Sequence, residues 1–335
     1  MPTTPTPLLL TALSALCLTA CGGNSGDSPP PSTGPDTATR STAATTTAQN
    51  NAACTAIRPF YWEIGDRNQR LASASVNQAG NATTYTADSL MPIASASKWL
   101  YGAYVAERRS GMLTPEDIQF LTFSSGYTSF AAVGDCFAFD TVGACVARGD
   151  NDVQTPAHVG NFYYNGGHMQ KHASLAGGMN LGAMNNDALA AELRRLLGSD
   201  INLSYNQPQP AGGVITTAND YARFLRKLLG NQLHLGALLG SNKVCTNPVT
   251  CATALNTPIT NGLNWNYSIG HWVEDDATRS DGAFSSAGAF GFYPWVDVSK
   301  TWYGVVARHD TAGGGNESAD CGALIRKAWV TGVAQ

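Results

Sequence analysis

Charged side chains are scarce in this sequence. Lys, Arg, Asp and Glu make up 13% of its 335 residues, against 43% apolar residues. The polar surface must therefore come largely from Ser, Thr, Asn, Gln and Gly, a texture that suits an exported chain better than a cytosolic one. The formal net charge is -4 and the Lys and Arg residues are scattered. Without a basic stripe there is no electrostatic footprint for nucleic acid. No apolar run reaches the roughly 18 residues that a spanning helix needs. There is no Cys-x-x-Cys pair, and His158, His168, His172, His234, His271 and His309 show no ligand spacing, so no metal or other cofactor is expected. There is also no Gly-x-Ser-x-Gly elbow, which argues against an α/β-hydrolase. The length allows one large domain or two modest ones, and no internal repeat is visible.

The N-terminal LLLTALSALCLTA is a short apolar segment ending in Leu18-Thr19-Ala20-Cys21. Such a segment reads as a signal peptide over residues 1–21. Its ending resembles the bacterial lipobox, which implies lipidation at Cys21 and a membrane tether without a span. The alternative is an ordinary secretory signal with a chance Cys. One departure is that residues 1–10 contain no Lys or Arg, which points to a different true start or to weaker export. Residues 22–53 are rich in Ser, Thr, Pro, Gly and Asn, with almost no large apolar side chain, and are expected to form a disordered tether. The folded domain is expected from Cys54 to residue 335.

Eight cysteines are present, six of them after Cys21. An even count in an exported chain favours disulfides. Cys136–Cys145 and Cys245–Cys251 are near enough in sequence to staple loops, and elimination leaves Cys54–Cys321 to tie the two ends of the domain. Zinc is the alternative use of these thiols.

IRPFYWEIGD and QRLASASV read as two strands joined by a turn. Helices are expected over Lys98–Arg109, from Thr114-Pro115-Glu116-Asp117, over Asp187–Leu197, over Thr217–Leu229 with Asp220 completing a capping box, and over about Ser318–Val330. Residues 122–180 read mostly as loop. NYSIGHWVE, GAFGFYPWVD and KTWYGVVAR read as three more strands. Strands at both chain ends imply an α+β fold: an antiparallel sheet flanked by helices, with a mostly helical insertion over about 112–265.

MPIASASKWLYGAYVAERRSG sets Ser95 and Lys98 three apart at the head of a helix, on one face and one turn from each other. Ser97 points away. A serine hydroxyl needs a base to take its proton, and a partly buried lysine can be that base because desolvation lowers its pKa. The bland alternative is a helix cap beside a solvated lysine.

Two more segments matter: Tyr163-Tyr164-Asn165-Gly166-Gly167, and Ser286-Ala287-Gly288 within SSAGAFGFYPWVD. Together with Ser95-Ala96-Ser97-Lys98 they resemble, in order and spacing, the three motifs of the penicillin-recognising serine hydrolases. That superfamily includes β-lactamases, D-alanyl-D-alanine peptidases, esterases and amide hydrolases. The middle motif has the Tyr-x-Asn form of class C β-lactamases, related esterases and 6-aminohexanoate-oligomer hydrolases. GGVITTANDYARFLRKLLG resembles a helix these families carry between the second and third motifs.

The resemblance implies Ser95 as the acylated nucleophile, Lys98 as its base and Tyr163 as the proton shuttle, its phenol made more acidic by Lys98. It implies Asn165 as a substrate and lysine contact, and the N–H groups of Ser95 and Ala289 as the oxyanion hole. Gly288 would leave the strand edge open to substrate. If Tyr164 faced the site instead, the assignment would move by one residue. Asn165 also reads as a turn residue, since Asn-Gly is a turn signal.

The third motif departs from the family's Lys-Thr-Gly or His-x-Gly. Ser286 replaces the cation that holds a substrate carboxylate, which argues against β-lactams and D-Ala peptides as best substrates. Arg308, His309 or Lys300 could supply charge from nearby, and Ser286 could bond Lys98 or substrate. His168 is a candidate for the cleft wall, with a surface loop as its alternative. Specificity is expected in loops 122–162 and 231–266.

The resulting expectation is an anchored cell-envelope serine hydrolase of small or oligomeric esters or linear amides. It would need no cofactor and have no nucleic-acid partner. A β-lactamase or D-Ala peptidase is the second reading. A non-catalytic envelope lipoprotein of the same fold is the third.

Overall fold

The computed structural model describes Met1 and residues 34–335 apart from Ala132. The signal segment, Cys21 and the start of the expected tether lie outside the described residues.

Residues 37–50, expected to be tether, form helix α1 (Thr37–Asn50) instead. Asp36 caps it, its carboxylate accepting from the Thr39 N–H at 2.7 Å. Ala43, Ala44, Thr47 and Ala48 form its buried face. Small side chains let it lie close against the C-terminal helix α10 (Gly315–Thr331). Arg40 donates to the Trp329 and Val330 carbonyls, at 2.7 and 2.8 Å, and so caps that helix. A stretch poor in large apolar groups has thus found a partner that needs only small ones. A short helix α2 (Ala52–Thr55) follows and carries Cys54.

An antiparallel sheet is built from both chain ends, as expected. β1 (Phe60–Asp66) lies between β2 (Arg70–Val76) and β13 (Trp302–Ala307), with Tyr61 opposite Ala307 and Trp62 opposite Ala74. The order continues from β13 through β12 (Tyr293–Val296), β11 (Ala283–Ser285), β10 (Trp272–Glu274) and β9 (Asn266–Tyr267) to β7 (Val244–Cys245). The expected single strand over 266–274 is a hairpin, turned at Gly270 with φ 73°. The expected strand from Gly288 starts only at Tyr293, because residues 288–291 make a turn closed by Gly291 N–H to the Gly288 carbonyl at 2.9 Å.

Between the sheet's two halves come β3 (Met91–Pro92), a 3-10 turn at Ala94–Ala96, and the buried helix α3 (Ser97–Arg108). The insertion carries α4 (Pro115–Leu121), α5 (Val142–Val146), β4 (Phe162–Tyr163), α6 (Gly167–Ser174) and α7 (Asn186–Leu197). It continues through β5 (Leu203–Tyr205), β6 (Val214–Thr216), α8 (Ala218–Leu229), α9 (Leu235–Leu238) and β8 (Ala254–Asn256). Residues 122–180 are therefore more ordered than a loop, with α5, β4 and α6 in them. β3, β6 and β5 form a small sheet, and β4 pairs in parallel with β8.

α3 packs directly on the β9–β10 turn. A Cβ on Gly102 would meet the Ile269 carbonyl oxygen at 2.5 Å, and one on Gly270 would meet the Lys98 carbonyl oxygen at 2.5 Å. The helix that bears Lys98, and that follows directly on Ser95, is therefore seated on the sheet by backbone contact. Cys54–Cys321, Cys136–Cys145 and Cys245–Cys251 are paired.

Candidate active site

Ser95 sits in the 3-10 turn that leads into α3. The residue before it, Ala94, is held at φ 44°, a left-handed conformation unfavourable for a residue with a Cβ. That bend carries the chain from β3 into the turn and leaves Ser95 at a cavity wall. Ser97 points away from the cavity, as expected. Its hydroxyl donates to the Ala94 carbonyl at 2.6 Å and accepts the Val214 N–H at 3.2 Å, locking the bend to β6.

Lys98 is buried, and its Nζ lies 3.0 Å from Ser95 Oγ and 2.7 Å from the Ala211 carbonyl oxygen. No carboxylate pairs with it among the described residues. Burial without a counter-ion disfavours the charged form, and the amine's pKa falls to about 7. Near neutral pH a substantial fraction is therefore neutral, with its lone pair beside the serine hydroxyl.

The middle motif is shifted by one residue from the primary assignment. Tyr164, not Tyr163, lines the Ser95 cavity and stands over Lys98, with Nζ 5.1 Å from its ring centroid. Tyr163 faces away and stacks on His158 at 4.8 Å. The strand pairing fixes this: Tyr164 N–H donates to the Asn256 carbonyl at 3.1 Å, and the Tyr164 ring stacks on Trp272 at 5.4 Å. Burial pushes the Tyr164 phenol up to about 12, while the neighbouring Ser95 hydroxyl pulls the other way. It is thus a proton-bearing phenol at neutral pH. The expectation of a phenol acidified by Lys98 does not hold, since the lysine itself is short of charge.

Asn165 moves out of the site with the same shift. Its side chain accepts from Gly167 N–H at 2.7 Å and donates to the Phe130 carbonyl at 3.0 Å, which makes it the turn residue of the alternative reading. Counted from Tyr164, the third motif position is Gly166, whose Cβ would lie 3.4 Å from that of Ala211. The second partner of Lys98 is accordingly a main-chain carbonyl. A carbonyl has no signature in sequence, and Ala211 was not foreseen.

Ala287, Gly288 and Ala289 line the same cavity as Ser95. Ser286 does not reach Lys98; its hydroxyl donates to the Ser95 carbonyl at 3.2 Å. Gly288 is required by packing rather than by an open strand edge. A Cβ there would stand 2.1 Å from the Ile93 carbonyl oxygen. Gly288 N–H is spent on the Phe292 carbonyl at 2.8 Å. The N–H groups of Ser95 and Ala289 have no acceptor among the described residues, as an oxyanion hole requires.

None of the substitute cations serves the site. Arg308 bonds Ser318 Oγ at 3.2 Å and the Ile57 carbonyl at 3.1 Å. Lys300 donates to the Gly236 carbonyl at 3.1 Å. His309 is held at its carbonyl by Tyr85 and lies ring-to-ring with Phe290. His168 is fully buried behind the site, neither on the cleft wall nor in a surface loop. Its Nε2 meets the Tyr163 carbonyl at 3.0 Å and its Nδ1 meets Ser125 Oγ at 2.7 Å. Burial lowers its pKa to about 3, so it is a neutral buttress for the Tyr163–Tyr164 backbone.

The cavity has a volume of about 340 Å³. Trp265, Trp272, Pro258 and Ile259 supply an apolar wall, and Gly314 to Glu317 supply the opening turn of α10. Of these, the range 231–266 was expected to set specificity; Trp272 and the start of α10 were not foreseen.

No protein-family model and no curated protein sequence matches the chain. Solved structures do. A β-lactamase from Mycobacterium bovis superposes with a TM-score of 0.56 at 15% identity, over 82% of this chain and 96% of that one. A penicillin-binding protein from Bacillus halodurans gives 0.52 at 13% identity, over 80% and 95% of the two chains. The D-amino acid amidase of Ochrobactrum anthropi gives 0.57 at 12% identity, over 82% and 96%. An antiparallel sheet closed by both chain ends, with Ser95 and Lys98 at the head of its central helix, thus has the fold of the penicillin-recognising serine hydrolases.

Proposed function

We propose that this chain is an exported serine hydrolase that cleaves esters or linear amides through an acyl-enzyme on Ser95. The observation that carries the reading is the 3.0 Å contact between Ser95 Oγ and an amine that burial has brought to a pKa of about 7. Neutral Lys98 takes the hydroxyl proton as Oγ attacks the substrate carbonyl carbon. The resulting oxyanion rests against the Ser95 and Ala289 N–H groups. The Tyr164 phenol gives its proton to the departing alkoxide or amine and is reprotonated by the Lys98 ammonium. The C–O or C–N bond breaks and the acyl group stays on Ser95. Water then attacks the ester, Lys98 takes its proton, and Ser95 leaves as the hydroxyl.

The structural neighbours act on β-lactams, bind penicillin or cleave D-amino acid amides. Esters and linear amides are favoured here because, among the described residues, no Lys, Arg or His lines the cavity to grip a carboxylate beside the scissile bond. The lipobox-like Leu18-Thr19-Ala20-Cys21 supports export and an envelope tether. The test is turnover of a short-chain aryl ester, a linear anilide, penicillin and a D-Ala-D-Ala peptide by the wild type and by Ser95→Ala. Ester and anilide hydrolysis that vanishes in the variant supports the reading. Preferred turnover of penicillin or the peptide would replace it with the β-lactamase or peptidase reading. No turnover of any substrate would favour a binding protein.

A further inference from the structure

The Ser95 cavity has an uneven charge. Among the described residues, the one acidic side chain on its wall is Glu317, in the first turn of α10. Among the described residues Glu317 has no hydrogen-bond or ion-pair partner. A carboxylate in a first helical turn is favoured by the helix dipole. The cations that could have neutralised it are engaged elsewhere: Arg308 at Ser318 and Asp310, and Arg326 in a buried cluster with Glu274 and Asp281. Lys98, the remaining cation at the site, is itself short of charge. Trp265 and Trp272 line the same cavity, and indole rings attract cations.

We propose that Glu317 makes this cleft selective for substrates that carry a cationic group, a protonated or quaternary amine, near the scissile bond. The inference rests on Ser95 being the reaction centre. Its charge logic is the inverse of a carboxylate-binding third motif: the cation at Ser286 is missing, and an anion faces the same cavity.

The experiment separates this selectivity from catalysis by measuring binding to Ser95→Ala, which cannot turn over. Two ester pairs place the charge on either side of the scissile bond. One is butyrylcholine and its tert-butyl isostere; the other is the p-nitrophenyl ester of trimethylammonio-butanoate and its tert-butyl isostere. The p-nitrophenyl monoester of glutarate supplies the anionic arm. Binding is read by tryptophan fluorescence in Ser95→Ala, Ser95→Ala/Glu317→Gln and Ser95→Ala/Glu317→Lys. The cation is expected to bind about fivefold or more tighter than its isostere in at least one pair. That ratio is expected to fall to about one with Gln and to invert toward glutarate with Lys. Equal binding across both pairs, tighter binding of glutarate, or a cation preference unchanged in the Gln variant overturns the proposal. Wild-type turnover of the neutral isosteres tests the Ser95 reading separately.

Discussion

At the scale of single residues, the site depends on an amine and a phenol pushed in opposite useful directions by the same burial. Lys98 loses its proton easily and Tyr164 holds its own. The first consequence is kinetic: kcat/KM is expected to rise with pH through an inflection at about 7, with a slope of about tenfold per pH unit on the acid side. A profile flat from pH 5 to 9, measured on a neutral ester, would remove Lys98 as the base.

The second consequence concerns stability. The folded-state pKa of Lys98 is depressed from its ordinary 10.5 to about 7, so between these values the unfolded chain binds more protons. Stability from this group therefore rises with pH across that window, and the full penalty applies at and below pH 7. Lys98→Met should abolish turnover yet gain stability relative to wild type, most at pH 7 and below, and less as pH approaches 10. Denaturant melts of both proteins at several pH values would check the sign.

Tyr164→Phe should slow anilide hydrolysis about a hundredfold, and p-nitrophenyl ester hydrolysis far less, because p-nitrophenolate leaves without a proton. Tyr163→Phe should leave both unchanged. Ser95 and Lys98 were legible from a three-residue spacing. The tyrosine was not, because two tyrosines adjoin and which one faces the cavity depends on the pairing of a two-residue strand with a segment about ninety positions away.

At the scale of elements, the third-motif turn and the Ser95 bend are one unit. The Ser286 hydroxyl holds the Ser95 carbonyl, and Gly288 lies against the Ile93 carbonyl. Gly288→Ala puts a methyl group into backbone that has no rotamer to yield. It should destabilise the fold by about 1–3 kcal/mol, and it should lower turnover more than ten-fold by moving the Ala289 N–H off the oxyanion position. Calorimetry and ester turnover on the same preparation check both halves. The order of sheet, helix and sheet was legible because strands with β-branched and aromatic residues bracket helices with clear caps. The β9–β10 hairpin was not, because NYSIGHWVE carries one continuous strand-like pattern and only the left-handed Gly270 breaks it.

At the scale of the whole molecule, three features hold the two ends of the 34–335 region together. β1 pairs with β13, Cys54 is bonded to Cys321 across 267 positions, and α1 lies on α10. Losing the Cys54–Cys321 bond, as Cys54→Ser/Cys321→Ser, should cost about 2–4 kcal/mol, read as a lower denaturant midpoint. A chain beginning at Ala52 should melt lower than one beginning at Gly34, because it exposes the face of α10 that α1 covers. Over residues 37–50 the expected tether is a helix for a physical reason: Ala and Thr bury little surface each, so a helix that packs through them looks in sequence like a segment that cannot pack.

In the proposed reaction Lys98, its charge suppressed by burial, is the base of a nucleophilic Ser95. Intact mass of the folded chain from Gly34 onward, after exposure to a fluorophosphonate over a range of pH, tests it most directly. One adduct is expected, absent in Ser95→Ala and slowed at least a hundredfold in Lys98→Met, with a wild-type labelling rate that rises through a midpoint near pH 7. No adduct on folded wild-type protein, or an adduct that persists in Ser95→Ala, would contradict it.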